Sequence, residues 1–84
     1  MITLLYFARL REALGTGSEQ LVLTPDVRDV SGLLELLRAR GGAWASELAA
    51  GRAFRVAVNQ DMAEGATAIR DGDEVAIFPP VTGG

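Results

Sequence analysis

The sequence of 84 residues closes on Pro79-Pro80-Val81-Thr82-Gly83-Gly84, and this stretch offers one chemical group set apart from the side chains, the terminal carboxylate of Gly84. Glycine has no Cβ, so Gly83 and Gly84 can thread a channel too narrow for any other residue, and nothing shields the last carbonyl from attack. With a pKa of about 3.5 the carboxylate is ionised at neutral pH and is a poor electrophile. It must be activated before it can carry anything. ATP can do this through an acyl-adenylate, from which a sulfur nucleophile displaces AMP and leaves a thiocarboxylate. Pro79 and Pro80 favour an extended chain and remove two N–H groups that would otherwise pair, so the tail is expected to project from the domain. At ~3.3 Å per residue, residues 79–84 reach about 20 Å. The plain alternative is a loose end without function, as chain termini commonly are.

The remaining composition narrows the chemistry further. The chain has no Cys, His or Lys, which removes thiolate and imidazole metal sites, Cys and His nucleophiles, imidazole bases and lysine Schiff bases. No GxxxxGK[ST] loop is present to cradle a phosphate, so ATP is expected to be used by an activating partner, with no cofactor or metal bound by this chain. Gly15, Gly17, Gly41 and Gly42 read as turn and helix-stop residues. A formal net charge of -3 with scattered arginines speaks against nucleic acid, and no apolar run approaches the ~20 residues needed to cross a bilayer. The first residues lack the basic and cleavage features of a secretory signal, so a cytoplasmic location is the default expectation. A protein partner or a small substrate is left.

The tail needs a scaffold, and 84 residues with 49% hydrophobic and 23% charged content suffice for one compact domain, expected at residues 1–78 with the tail at 79–84. Residues 1–8 read as a strand, 9–14 as one or two helical turns ending at Gly15, and 19–24 as a second strand. Val30, Leu33, Leu34 and Leu37 follow the spacing of an amphipathic helix over residues 30–40, with Asp29 as N-cap and Gly41-Gly42 as its stop. A short helix is expected at 43–50 with Trp44 and Leu48 inward, and a strand at 54–58 leading to a turn at Asn59-Gln60-Asp61. A short edge strand is expected at 66–69, a turn at Asp71-Gly72-Asp73, and a last strand at 74–78 stopped by Pro79-Pro80. The fold class is α+β, and the order suits a ubiquitin-like β-grasp in which a mixed sheet packs on one main helix, with the first and last strands adjacent.

Alternation along the strands then sorts the faces. Ile2, Leu4 and Tyr6 oppose Thr3, Leu5 and Phe7; Val75 and Ile77 oppose Glu74, Ala76 and Phe78; Phe54, Val56 and Val58 oppose Arg55, Ala57 and Asn59. The polar members mark the solvent side. Leu5, Phe7, Ala57 and Phe78 are therefore expected together on a face that this short chain has no second layer to cover. Phe7 and Phe78 either wrap the edge of the core or form a docking patch, and the presence of the tail favours docking.

The opening strand ending in Phe7-Ala8, Arg11-Glu12 before Gly15, Val58-Asn59-Gln60, and above all Asp71-Gly72-Asp73-Glu74-Val75-Ala76 running into Phe78-Pro79-Pro80-Val81-Thr82-Gly83-Gly84 resemble the family of molybdopterin synthase small subunits, the sulfur carriers of molybdenum cofactor biosynthesis. The resemblance covers essentially the whole chain, though residues 31–52 match in pattern only. It implies that Gly84 is adenylated by an enzyme similar to ubiquitin-activating enzymes and, with a sulfur donor system, converted to a thiocarboxylate. The arm Pro79, Pro80, Val81, Thr82 and Gly83 would then enter the large synthase subunit, where sulfur passes to cyclic pyranopterin monophosphate to form molybdopterin, two carriers serving one heterotetramer. The chain would be a non-catalytic, sulfur-donating subunit of a sulfurtransferase complex. The resemblance implies that Phe7 and Phe78 pack on the partner, and the alternation of the strands adds Leu5 to that interface; Arg11 reads either as plain surface beside Glu12 or as a partner for a carboxylate. Carriers for thiazole, cysteine or tRNA thiolation, a ubiquitin-like modifier of other proteins, and a binding module with an inert tail are the competing readings.

Overall fold

The computed structural model describes residues 1–80. Strand β1 (Ile2–Tyr6) buries Ile2, Leu4 and Tyr6 and leaves Thr3 and Leu5 half-buried, the alternation expected of a strand with one covered face. Helix α1 (Ala8–Leu14) follows at once and ends at Gly15, whose φ of 75° gives the left-handed closing turn; its N–H donates to the Arg11 carbonyl. After β2 (Ser18–Leu21) comes α2 (Val30–Arg38), started by Asp29, whose side chain accepts from the Gly32 N–H at 2.8 Å. Val30, Leu33, Leu34 and Leu37 are all buried. The order continues with α3 (Gly42–Glu47), β3 (Arg55–Val58), β4 (Asp61–Met62) and β5 (Glu74–Phe78).

The sheet runs β2-β1-β5-β3-β4. β1 and β5 pair in parallel, and the other neighbours are antiparallel, so the sheet is mixed and the first and last strands lie side by side as the β-grasp reading requires. The inner residues of β1, β3 and β5 join the α2 stripe, Leu10 and Leu48 in one core, against which Leu14, Leu23, Trp44 and Phe54 pack. No helix among the described residues is long and apolar enough to cross a membrane.

Several boundaries differ from the sequence reading: β1 ends at Tyr6 and not at residue 8, with Ala8 already in α1, and β3 begins at Arg55 and not at Phe54. β2 stops at Leu21, leaving Val22 66% exposed while Leu23 packs on the core. α2 stops at Arg38 because the chain tightens into three-residue turns, with Arg40 N–H on the Leu37 carbonyl and Gly41 N–H on Arg38. α3 is shorter than 43–50, although Leu48 is buried and Trp44 half-buried as expected. The edge strand is Asp61–Met62 and not residues 66–69, where Ala68 makes a lone bridge to Asp29, and Thr67 O and Ile69 N–H bond to the entry of α2. Asn59 and Gln60 at φ 51° and 72° form a two-residue hairpin, which returns the chain to the sheet at once.

Arg40, released from the helix, anchors β2. Its guanidinium forks onto Glu19 at 2.9 and 2.8 Å and lies 4.4 Å from the centre of the Trp44 ring, which meets Tyr6 edge-on at 5.3 Å. The Tyr6 hydroxyl donates to Glu19 Oε2 at 3.1 Å, closing a four-residue ring of contacts. The Arg40 hydrogen bonds hold the Glu19 carboxyl below its ordinary value, while burial, followed by the Glu19 charge, pushes the Tyr6 phenol up.

Two outcomes are expected. A depressed folded-state pKa means that Glu19 contributes stability above its unfolded value and loses it as pH falls, so Glu19→Gln should lower stability by about 1 kcal/mol at neutral pH. The variant should also show a shallower loss than wild type below about pH 5, measured by urea unfolding across pH. Gln60→Gly should raise stability by up to about 1 kcal/mol, because glycine adopts the left-handed region without the steric cost.

Candidate functional site

The sheet face opposite the core is built by register. Leu5, Ala76, Ala57 and Met62 stand side by side across β1, β5, β3 and β4. The next row holds Phe78 opposite Arg55. Phe7 extends β1 into that row: its N–H donates to the Ile77 carbonyl at 3.2 Å, and its φ of -124° and ψ of 154° keep it extended, so it turns away from buried Tyr6. Phe7 is 46% exposed and Met62 61%, whereas Ala57, small and flanked on both sides, is only 7% exposed. Two alanines thus form a flat floor with Phe7, Phe78 and Met62 around it. Covering such side chains stabilises a contact by about 1.5–3 kcal/mol for each one fully buried.

Directly after Phe7, Ala8 sits at φ 51°, a region unfavourable for a residue with a Cβ, and turns the chain off the sheet into α1. Because β1 and β5 are parallel, Phe7 and Phe78 mark the same end of the sheet, and Pro79 and Pro80, both half-buried, leave from it. The root of the tail and the aromatic row are therefore neighbours. Val81, Thr82, Gly83 and Gly84, the rest of the expected arm and its reactive end, lie outside the described residues.

Arg11 sits one helical turn beyond Phe7, with its N–H on the Phe7 carbonyl at 3.4 Å, and its side chain runs toward Gly17. Its guanidinium lies across Gly17, where an added Cβ would sit 3.0 Å from Arg11 Nε, and it lines a shallow hollow with Ala8, Glu12, Gly15 and Thr16 that none of Leu5, Phe7 or Phe78 touches. The Asp71-Gly72-Asp73 and Asn59 stretches are turn structure, as expected. Gly72 has φ 91°, and Asn59 bridges the two turns by donating to Asp73 at 3.0 Å and accepting from the Glu74 N–H at 3.0 Å. That Asn59 hydrogen bond, followed by one from the Arg70 N–H, holds the Asp73 carboxyl below the usual range.

The sequence reading missed Met62 as part of the face. The signal was present: a two-residue turn at Asn59-Gln60 makes Met62 the partner of Ala57, whereas a three-residue turn breaks the register. Among the described residues no group of three His, Cys, Asp or Glu side chains can hold a metal ion.

The ThiS family model matches residues 4–84 of the sequence. The chain belongs to the ThiS family. Two of its relatives are molybdopterin synthase sulfur carrier subunits, from Haemophilus influenzae at 39% identity and from Escherichia coli at 40%, in each case over 84 residues and 100% of both chains. Among solved structures, the crystal structure of small archaeal modifier protein 1 from Haloferax volcanii matches this ThiS-family chain with a TM-score of 0.77 at 26% identity, covering 95% of this chain and 97% of that one.

If the outer face is surface and not core, Phe7→Asp and Met62→Asp should each change stability by no more than about 0.5 kcal/mol. Leu4→Ala, on the inner face of the same strand, should cost about 2–5 kcal/mol in the same denaturation series.

Proposed function

We propose that the chain is the sulfur carrier subunit of a molybdopterin synthase, working through the carboxylate of Gly84. The observation that carries this reading is end-to-end similarity to two sulfur carrier subunits, with 100% of each chain covered. The reading also accounts for an apolar face lying beside the root of a tail in a chain without Cys, His or Lys. An activating partner related to ubiquitin-activating enzymes binds the face and attaches AMP to the Gly84 carboxylate, with pyrophosphate leaving from ATP. A sulfur donor then displaces AMP and leaves the thiocarboxylate. The same face docks on the large synthase subunit, whose side chains guide attack of the thiocarboxylate sulfur on cyclic pyranopterin monophosphate; water then cleaves the acyl–sulfur bond, leaving the sulfur on the pterin and regenerating the Gly84 carboxylate for another cycle. ATP is consumed by the partner and held there, in keeping with a cytoplasmic setting. Sharing one face between two partners makes binding mutually exclusive, so the carrier shuttles between them.

Intact-mass measurement of the chain isolated from its own cells should show a fraction heavier by the exchange of one oxygen for sulfur. Only unmodified chain, or only adducts on lysines of other proteins, would count against the carrier and in the second case favour a modifier. Adding one residue after Gly84 should abolish sulfur loading without moving the unfolding midpoint; continued loading would sink the terminal-carboxylate mechanism. Thiocarboxylated chain mixed with the large subunit and cyclic pyranopterin monophosphate should yield molybdopterin, and absence of product would point to another thiolation pathway.

A further inference from the structure

Arg55 opens β3 and lies directly across from Phe78, the last residue of β5. Val56 beside it is buried at 6% exposure, so alternation turns Arg55 to the outer face, where it is exposed at the margin of the apolar patch and next to the tail root. Most other arginines are engaged. Arg9 and Arg52 meet Glu47, Arg40 meets Glu19, and Arg28 and Arg38 donate to the carbonyls of Pro25 and Leu48. No described residue offers the Arg55 side chain an ion pair or hydrogen bond. The outer-face acid of β5, Glu74, stands four residues before Phe78, about 13 Å away along the strand. Arg9, which reaches the Ala53 carbonyl, and Arg52 lie near this stretch, and both are held on Glu47.

We infer that Arg55 makes the docking face selective for a protein surface that presents a carboxylate beside its apolar contact. The inference rests on the docking reading of the sulfur carrier given above. A partner that covers Phe78 strips water from the guanidinium next to it, and a desolvated cation without an acceptor opposes binding. A carboxylate supplies two parallel acceptors in the geometry that a guanidinium fork requires and an ammonium cannot match. Apolar contact with Phe7, Phe78 and Met62 supplies the affinity, and the Arg55 pair fixes orientation and rejects partners that carry an apolar or basic residue at that point. Orientation matters here because Arg55 flanks the residue from which the tail departs.

The test is titration of the full chain with the large synthase subunit encoded in the same genome, at low and high salt. Arg55→Glu should weaken binding by about 30-fold or more with an unchanged unfolding midpoint, and Arg55→Lys should recover only part of the loss. Changing the opposing Asp or Glu of the large subunit to Arg should restore binding to Arg55→Glu alone. Arg55→Met binding as tightly as wild type, or Arg55→Glu binding within about twofold, would overturn the inference while Phe78→Asp still abolishes binding. Full binding by Phe78→Asp would instead overturn the docking reading itself.

Discussion

Parallel pairing of β1 with β5 is the constraint from which the working geometry follows. Two parallel strands end on the same side of a sheet, so joining the first strand to the last brings Phe7 and Phe78 into one row although 71 positions separate them in the sequence. The tail begins at that row. An antiparallel pairing would have sent Phe7 to the far end and left the tail root without its aromatic neighbour. The long connection that a parallel pair demands is filled by α1, β2, α2, α3, β3 and β4, and the helices among these cover only one face. The bare face is thus a consequence of size as well as topology.

Where polar side chains cluster, they secure the frame: Glu19 and Arg40 fasten the β2 edge, and Asn59 and Asp73 lock the hairpin to the start of β5. These fastenings sit away from the aromatic row. The family-like residues Asp71 and Asp73 therefore mark architecture, although they lie in the same specific stretch of sequence as the tail.

Much of the fold was legible because local and tertiary preferences agreed. β5 carries an alternation bounded by a turn and two prolines, and α2 carries both a periodic apolar stripe and the Asp29 cap, so both were found, β5 to the residue. The misses share a physical cause, a backbone conformation that the residue types do not announce. Gln60 in the left-handed region shortened a turn by one residue and moved the edge strand to Asp61–Met62. Arg40 left its helix to reach Glu19, a contact made across 21 positions that no local rule predicts. Leu5, Phe7 and Phe78 were assigned to the right face because strand alternation is rigid. Met62 was lost with the hairpin, and Arg55 was read only as a solvent marker because charge on a strand usually means that.

Load on the tail has a defined path through the molecule. A partner that grips the tail draws on β5, and β5 is bonded along its length to β1 on one side and β3 on the other. Force along the strand meets both ladders in shear, so many hydrogen bonds must fail together before the end gives way. Force across the sheet would open them one at a time. The position of β5 at the centre of the order, and not at an edge, makes the domain a firm mechanical anchor for whatever is pulled from the end of that strand.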